Sequence, residues 1–187
     1  MKNAVVIYES KYGSTKKYAQ WIAEELSCDL FERKQIKKDA LKQYDVIIYG
    51  GGVYAGKVSG AEAVIKAFHT MQDKSLILFT CGLSDPKDVQ NAESVETVLR
   101  QKMTADTEKN VKIFHFRGGI DYSQLSFADR SIMSMLIKIL QKKEPGMLTA
   151  QERDMLDSYG KAVDLTDRAA IQPLIAYVQE QCGSLEQ

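Results

Sequence analysis

Three observations predict a doubly wound α/β fold with a five-stranded parallel sheet. Short apolar runs alternate with helical patterns along the chain. Several of these runs are near-continuous Val, Ile and Leu, as strands covered on both faces require. The helical segments open on physical start signals, and such alternation places helices on both faces of one sheet.

The elements follow in order. Ala4-Val5-Val6-Ile7-Tyr8 reads as a buried first strand. Thr15 to Leu26 puts Tyr18, Ile22 and Leu26 on one helical face. Asp29 to Arg33 is a weaker second strand, and Asp45 to Tyr49 a strong third. Ser59-Gly60-Ala61-Glu62 reads as a capping box, followed by Ala61, Val64, Ile65, Phe68 and Met71 at helical spacing. Ser75 to Phe79 is the fourth strand. Asp85 is the expected cap of the next helix and Pro86 its first residue, with Val89, Ala92, Val95 and Leu99 facing the core. Val111 to Phe116 is the fifth strand. A last helical pattern runs from about Arg168 to Cys182, with Asp167 or Thr166 as cap, Pro173 in its first turns and Gly183 at its end. The whole is read as a single domain, 1–187, with an insertion at about 118–165.

Composition narrows the function. With 25 basic and 25 acidic residues the formal charge is zero, which argues against nucleic acid as a partner. The same balance argues against a strongly acidic docking surface. Cys28, Cys81 and Cys182 form no CxxC pair and no disulfide framework, so reduced thiols and a cytoplasmic location are expected. Met1-Lys2-Asn3 leads into a strand-like run without the apolar core of a signal peptide. No metal site is expected.

Doubly wound sheets bind ligands beyond the carboxyl ends of their strands. Three loops therefore matter. After strand one stands Ser10-Lys11-Tyr12-Gly13-Ser14-Thr15: a glycine for tight curvature, three short hydroxyls, and a helix N-terminus with free amides. Read as more than a helix cap, it suits a phosphate. It lacks the Gly-Lys-Ser/Thr ending of a triphosphate loop and the GxGxxG of a dinucleotide site, so a terminal monoester is expected. After strand three come Gly51, Gly52, Val53, Tyr54, Ala55 and Gly56, read as a loop with glycines for close approach and a tyrosine to stack on a ring. After strand four come Thr80, Cys81, Gly82, Leu83 and Ser84, able to offer backbone groups to a ring edge. A monophosphate tail with a planar head matches FMN.

In its Ser10-x-Tyr12-Gly13-Ser14-Thr15 turn and its element order over roughly the first 120 residues, the chain resembles the flavodoxin-like family. The resemblance implies strand order 2-1-3-4-5. It also implies FMN with its phosphate on Ser10 to Thr15, and its ring between Gly51–Gly56 and Thr80–Ser84. The flavin then carries the redox chemistry, as an electron carrier or FMN-dependent oxidoreductase, with no catalytic side chain and with a redox donor and acceptor as partners.

The insertion carries a distinct helix. Ser126 and Asp129 form a capping-box-like start. Ala128, Ile132, Met133, Met135, Leu136, Ile137, Ile139 and Leu140 then cover an arc of ~200°, wider than the ~100° of a surface helix. From Phe127 to Leu140 it spans only about 21 Å, too short for a bilayer. Packing on its own domain or on a homodimer partner, walling an apolar substrate beside the flavin, and lying on a membrane surface with Lys138, Lys142 and Lys143 are the three readings. Gly118, Tyr122 and Asp129-Arg130 before this Met/Ile-rich helix resemble the insertion of quinone-dependent protoporphyrinogen oxidases, and Gly50, Gly56 and the Tyr44-Asp45 lead-in resemble that branch as well. That resemblance implies a quinone or other apolar acceptor and peripheral contact with a membrane. Two further classes stay in view. A receiver-type signalling module lacks its acidic pair here, because Glu9 stands alone and glycines occupy the position of the phosphorylated Asp. A scaffold that has lost its flavin is the other.

Overall fold

A computed structural model describes residues 3–71 and 73–183; the expectations for Met1, Lys2 and the Cys182 side chain lie outside what it describes. In chain order the elements are β1 (Ala4–Glu9), α1 (Ser14–Leu26), β2 (Asp29–Glu32), β3 (Val46–Tyr54), β4 (Lys57–Val58) and α2 (Ala61–Phe68). There follow β5 (Ser75–Gly82), α3 (Val89–Arg100), α4 (Ala105–Lys109), β6 (Val111–Arg117) and β7 (Gly119–Asp121). The chain continues through α5 (Phe127–Leu140), α6 (Ala150–Ser158), β8 (Ala162–Asp164) and α7 (Gln172–Gly183).

The main sheet runs β2-β1-β3-β5-β6, all parallel, which is the expected order when only the five parallel strands are counted. Its register aligns Ile7 with Tyr49, Tyr49 with Leu78, and Leu78 with Ile113. Alternate side chains feed two cores. Val6, Ile48 and Ile77 pack with Tyr18 and Ile22 of α1 and Leu174 and Val178 of α7. Val5, Ile7, Ile47, Leu76 and Leu78 pack with Ile65 and Phe68 of α2 and Leu99 of α3. This double covering is why the central strands β1, β3 and β5 carry near-continuous apolar runs. Each such side chain contributes about 1.5–3 kcal/mol by leaving water.

Four local expectations are corrected. The stretches read as loops after strands three and four are strand: β3 continues through Gly50–Tyr54 and β5 through Thr80–Gly82, paired Gly50 to Phe79, Gly51 to Thr80 and Gly52 to Cys81. Glycine's low strand propensity is overridden because the neighbouring strands complete the ladder and bulky side chains need the space above it. Ser59 does not cap α2. Gly60, at φ 68°, holds the N-cap position. Ser59 belongs to the returning hairpin, its amide donating to the Gly52 carbonyl (2.9 Å) and its carbonyl accepting from the Tyr49 hydroxyl (2.6 Å). Nor does Asp85 cap α3: Asp88 does, its carboxylate accepting from the Gln90 and Asn91 amides. Asp85 instead closes the preceding turn, accepting from the Lys87 amide at 2.9 Å. Val89, consequently one turn off the core, is 64% exposed, while Leu99 is buried as expected.

The segment between β6 and α7, read from the sequence as an insertion, enters and leaves through one ribbon. β7 and β8 pair antiparallel, Gly119 opposite Asp164 and Asp121 opposite Ala162, so the ends of the excursion meet. A side chain at Gly119 would collide with the Val163 carbonyl, so the ribbon needs glycine there. α5 starts where expected, the Ser126 hydroxyl accepting from the Asp129 amide at 3.2 Å. Asp167 caps a 3-10 turn, Arg168–Ile171, that runs into α7 with Pro173 in its first turn.

Candidate functional site

The site begins where β1 stops. Gly13 sits at the N-cap of α1 with φ 94° and ψ −32°, a conformation that side chains avoid, and no side chain caps the helix. The first-turn amides therefore point outward without helical partners. The Ser10 hydroxyl accepts from the Gly13 amide (3.1 Å) and fixes the turn. The Ser14 hydroxyl accepts from the Gly119 amide (3.0 Å) and ties the turn to the insertion. Thr15 is buried, close to the Cys81 thiol. Lys11 and the Tyr12 hydroxyl both bond the Asp129 carboxylate of α5. The Lys11 ammonium also lies 5.3 Å from the Tyr12 ring centre and 5.8 Å from that of Tyr54.

A cavity of about 260 Å³ opens beside this turn at the carboxyl ends of β1, β3 and β5. Ser10, Tyr12, Ser14 and Thr15 form one wall, and Val53, Tyr54 and Ala55 a second. Cys81, Gly82 and Leu83 make the floor, and the lining is largely apolar. Tyr54 meets Tyr12 edge to face at 6.1 Å. Burial raises the Tyr54 hydroxyl above its ordinary range, and burial pushes the Cys81 thiol up to about 12. Cys81 is therefore a neutral thiol at physiological pH. It is expected to resist iodoacetamide at pH 8 in the folded protein and to be alkylated once urea unfolds it; peptide mass mapping reads both.

Seven predicted site residues stand off the cavity wall. Gly13 acts through its backbone at the helix entry. Lys11 is turned to Asp129. Gly51 lies under Val58 and the Ser59 carbonyl, where a Cβ would come within 2.6 Å of each. Gly52 leaves room for the Tyr54 ring, to which a Cβ would approach within 2.7 Å. Gly56 (φ 74°) forms the β3–β4 turn with Ala55 (φ 46°). Thr80 points to the opposite sheet face and bonds His115 Nδ1 at 2.7 Å. Ser84 accepts from the Gln151 side-chain amide of α6 at 2.6 Å.

The rest of the wall comes from the insertion. Gly118, Gly119 and Ile120 border the cavity, and Leu125, Asp129, Ile132 and Met133 cover it. The wide apolar arc of α5 was the signal in the sequence for Ile132 and Met133, and the capping-box-like start for Asp129; nothing in the sequence pointed to Leu125. A second cleft of about 420 Å³ adjoins the turn and is lined by Tyr12, Gly13, Ser14, Lys17 and Asp164 among others. Lys17 bonds Asp164 and Thr166 there, both at 2.8 Å. An apolar slot next to a turn rich in donors fits a flat head with a phosphate tail.

The model of the family described as "Flavodoxin domain" matches residues 5–145. The chain belongs to the flavodoxin domain family. FMN, expected from the turn, is the cofactor that this family binds. An uncharacterized protein of Methanocaldococcus jannaschii is 36% identical to this flavodoxin domain over 55 residues, 29% of this chain. The match spans only 37% of that relative's length. Among solved structures, a WrbA-like flavodoxin of Agrobacterium tumefaciens is 25% identical with a TM-score of 0.44, covering 70% of this chain and 88% of that one. Flavodoxin 2 of Bacillus cereus is 18% identical with a TM-score of 0.47, covering 62% and 84%. A flavoprotein of Lactobacillus acidophilus, solved in complex with FMN, is 14% identical with a TM-score of 0.43, covering 63% and 93%.

Proposed function

We propose that this protein is a single-domain FMN flavoprotein, 1–187 with an insertion at about 118–165, that transfers electrons between a donor and a small acceptor. One observation carries this reading: the uncapped N-terminus of α1, opened by Gly13, borders an apolar cavity at the sheet's carboxyl edge. The amides after Gly13 hold the phosphate, with Ser10 shaping the turn. Val53, Tyr54 and Ala55 flank one side of the ring, and Cys81, Gly82 and Leu83 the other. Leu125, Ile132 and Met133 exclude water. FMN, when bound, supplies one- and two-electron redox chemistry, and these residues tune it by contact and burial.

Titration of the apo-protein with FMN tests the proposal. Saturable quenching of flavin fluorescence is expected, with riboflavin binding at least about tenfold more weakly because it lacks the phosphate. Equal affinity for the two, or none for either, rejects it.

The apolar wall from α5 favours a second, narrower reading. Six electrons would pass from a porphyrinogen, two at a time, to three quinones, with the exposed Phe127, Met135 and Ile139 resting on a membrane surface beside Lys138, Lys142 and Lys143. Against it, Tyr54, Ala55, Asp121 and Ser126 offer no cations to the substrate's carboxylates. Porphyrin formation dependent on added quinone is the deciding assay. Among the described residues, no helix is long and apolar enough to cross a membrane.

A further inference from the structure

We propose that Asp129 is a positioning residue that clamps α5 to the phosphate turn and thereby sets the rate at which FMN enters and leaves. The inference rests on the flavin reading above and adds a role to a residue outside the phosphate and ring contacts.

The geometry converges on one carboxylate. Asp129 accepts from the Lys11 ammonium, from the Tyr12 hydroxyl and, at 2.8 Å, from the Ser126 hydroxyl. The Tyr12 hydroxyl in turn accepts from the Ser126 amide at 3.2 Å. Two residues of the phosphate turn are thus tied to the first turn of α5. Ile132 and Met133, three and four residues further on, stand on the next turn and wall the cavity. Where Asp129 sits, they sit.

Little else holds this half of the helix. Within α5 only Ile137 and Leu140, both toward its far end, are buried. Phe127, Ile132 and Met135 are 88%, 57% and 68% exposed. The Arg130 guanidinium donates to the Tyr122 and Ser123 carbonyls, which lie within the insertion itself. Apolar burial therefore anchors the C-terminal end of α5, and the Asp129 cluster anchors its start. Lys11, Tyr12 and Ser126 hold the Asp129 carboxyl down at about 2, so it is charged at neutral pH and its bonds are of the stronger, charge-assisted kind.

The test compares Asp129→Asn and Tyr12→Phe with Asp157→Asn, an exposed control on α6. Stopped-flow release of FMN is expected to be about tenfold faster in the first two and unchanged in the control. Amide hydrogen exchange over residues 127–136 is expected to be faster in both variants, with and without FMN. Lys11→Met combined with Asp129→Asn is expected to do no more than Asp129→Asn alone, because both remove the same contact. Wild-type release and exchange in Asp129→Asn and Tyr12→Phe, or fully additive effects in the double variant, overturn the clamp. The exchange measurement needs no cofactor, so a protein that binds no FMN would defeat the flavin reading, and with it the control of FMN exchange, while exchange still decides whether Asp129 clamps α5. Tyr12→Phe, which deletes a single hydroxyl, keeps the test decisive if Asp129→Asn does not fold.

Discussion

Gly13→Val is expected to weaken FMN binding by roughly 100-fold while leaving most of the sheet intact. At φ 94° a β-branched residue is excluded from the turn, and forcing it costs on the order of 1–3 kcal/mol of backbone strain. The chain relieves that strain by rotating the peptide units around position 13. In the proposed function those units carry the amides that would hold the phosphate, so strain becomes lost affinity. No atom lies within 4 Å of the position of an added Cβ at Gly13, so crowding cannot be the cause. Gly13→Ala should show the same defect in milder form, roughly tenfold. Equilibrium titration reads both; an unchanged dissociation constant for Gly13→Val would remove the turn from the binding site.

Gly50→Val acts through packing instead. A Cβ at Gly50 would come far inside contact distance of the Phe79 Cζ on the neighbouring strand. Phe79 is fully buried and cannot swing away, because Phe116 packs on it at 5.5 Å and Tyr18 stacks on Phe116 at 4.7 Å. Overpacking a site with no room to relax costs about 3 kcal/mol, the upper end for added core methylenes. A large fall in the urea midpoint is expected, with the slope unchanged. Gly56→Ala is the contrast: its φ of 74° is strained for alanine, but no atom lies within 4 Å of the new Cβ. About 1 kcal/mol is expected there. A loss at Gly50 no larger than that at Gly56 would show that the aromatic stack yields to the added side chain.

How legible each part was follows from how local its cause is. The five parallel strands and the start of α5 were readable because burial on two faces and an N-terminal hydroxyl leave marks on neighbouring residues. The geometry of the turn that opens α1 was readable for the same reason: Ser10 and Gly13 act within a few bonds of one another. Gly51 and Gly52 were misplaced in a loop because their reason lies elsewhere, in Ser59 returning along β4 and in the Tyr54 ring folded over Gly52. Asp85 looked like a cap by composition, and only the turn it closes hands that role to Asp88.

The sequence by itself determined the alternation of elements, the two-sided core, and a donor-rich turn at the start of α1. Each of these rests on periodicity or on groups adjacent in the chain. Only the tertiary structure decided that the insertion closes on itself through the β7–β8 ribbon, that α5 covers the cavity, and that Lys11 and Tyr12 meet a carboxylate more than a hundred residues away. Those contacts form between segments that share no local pattern, so they come into being only when the sheet brings the ends of its strands to one edge.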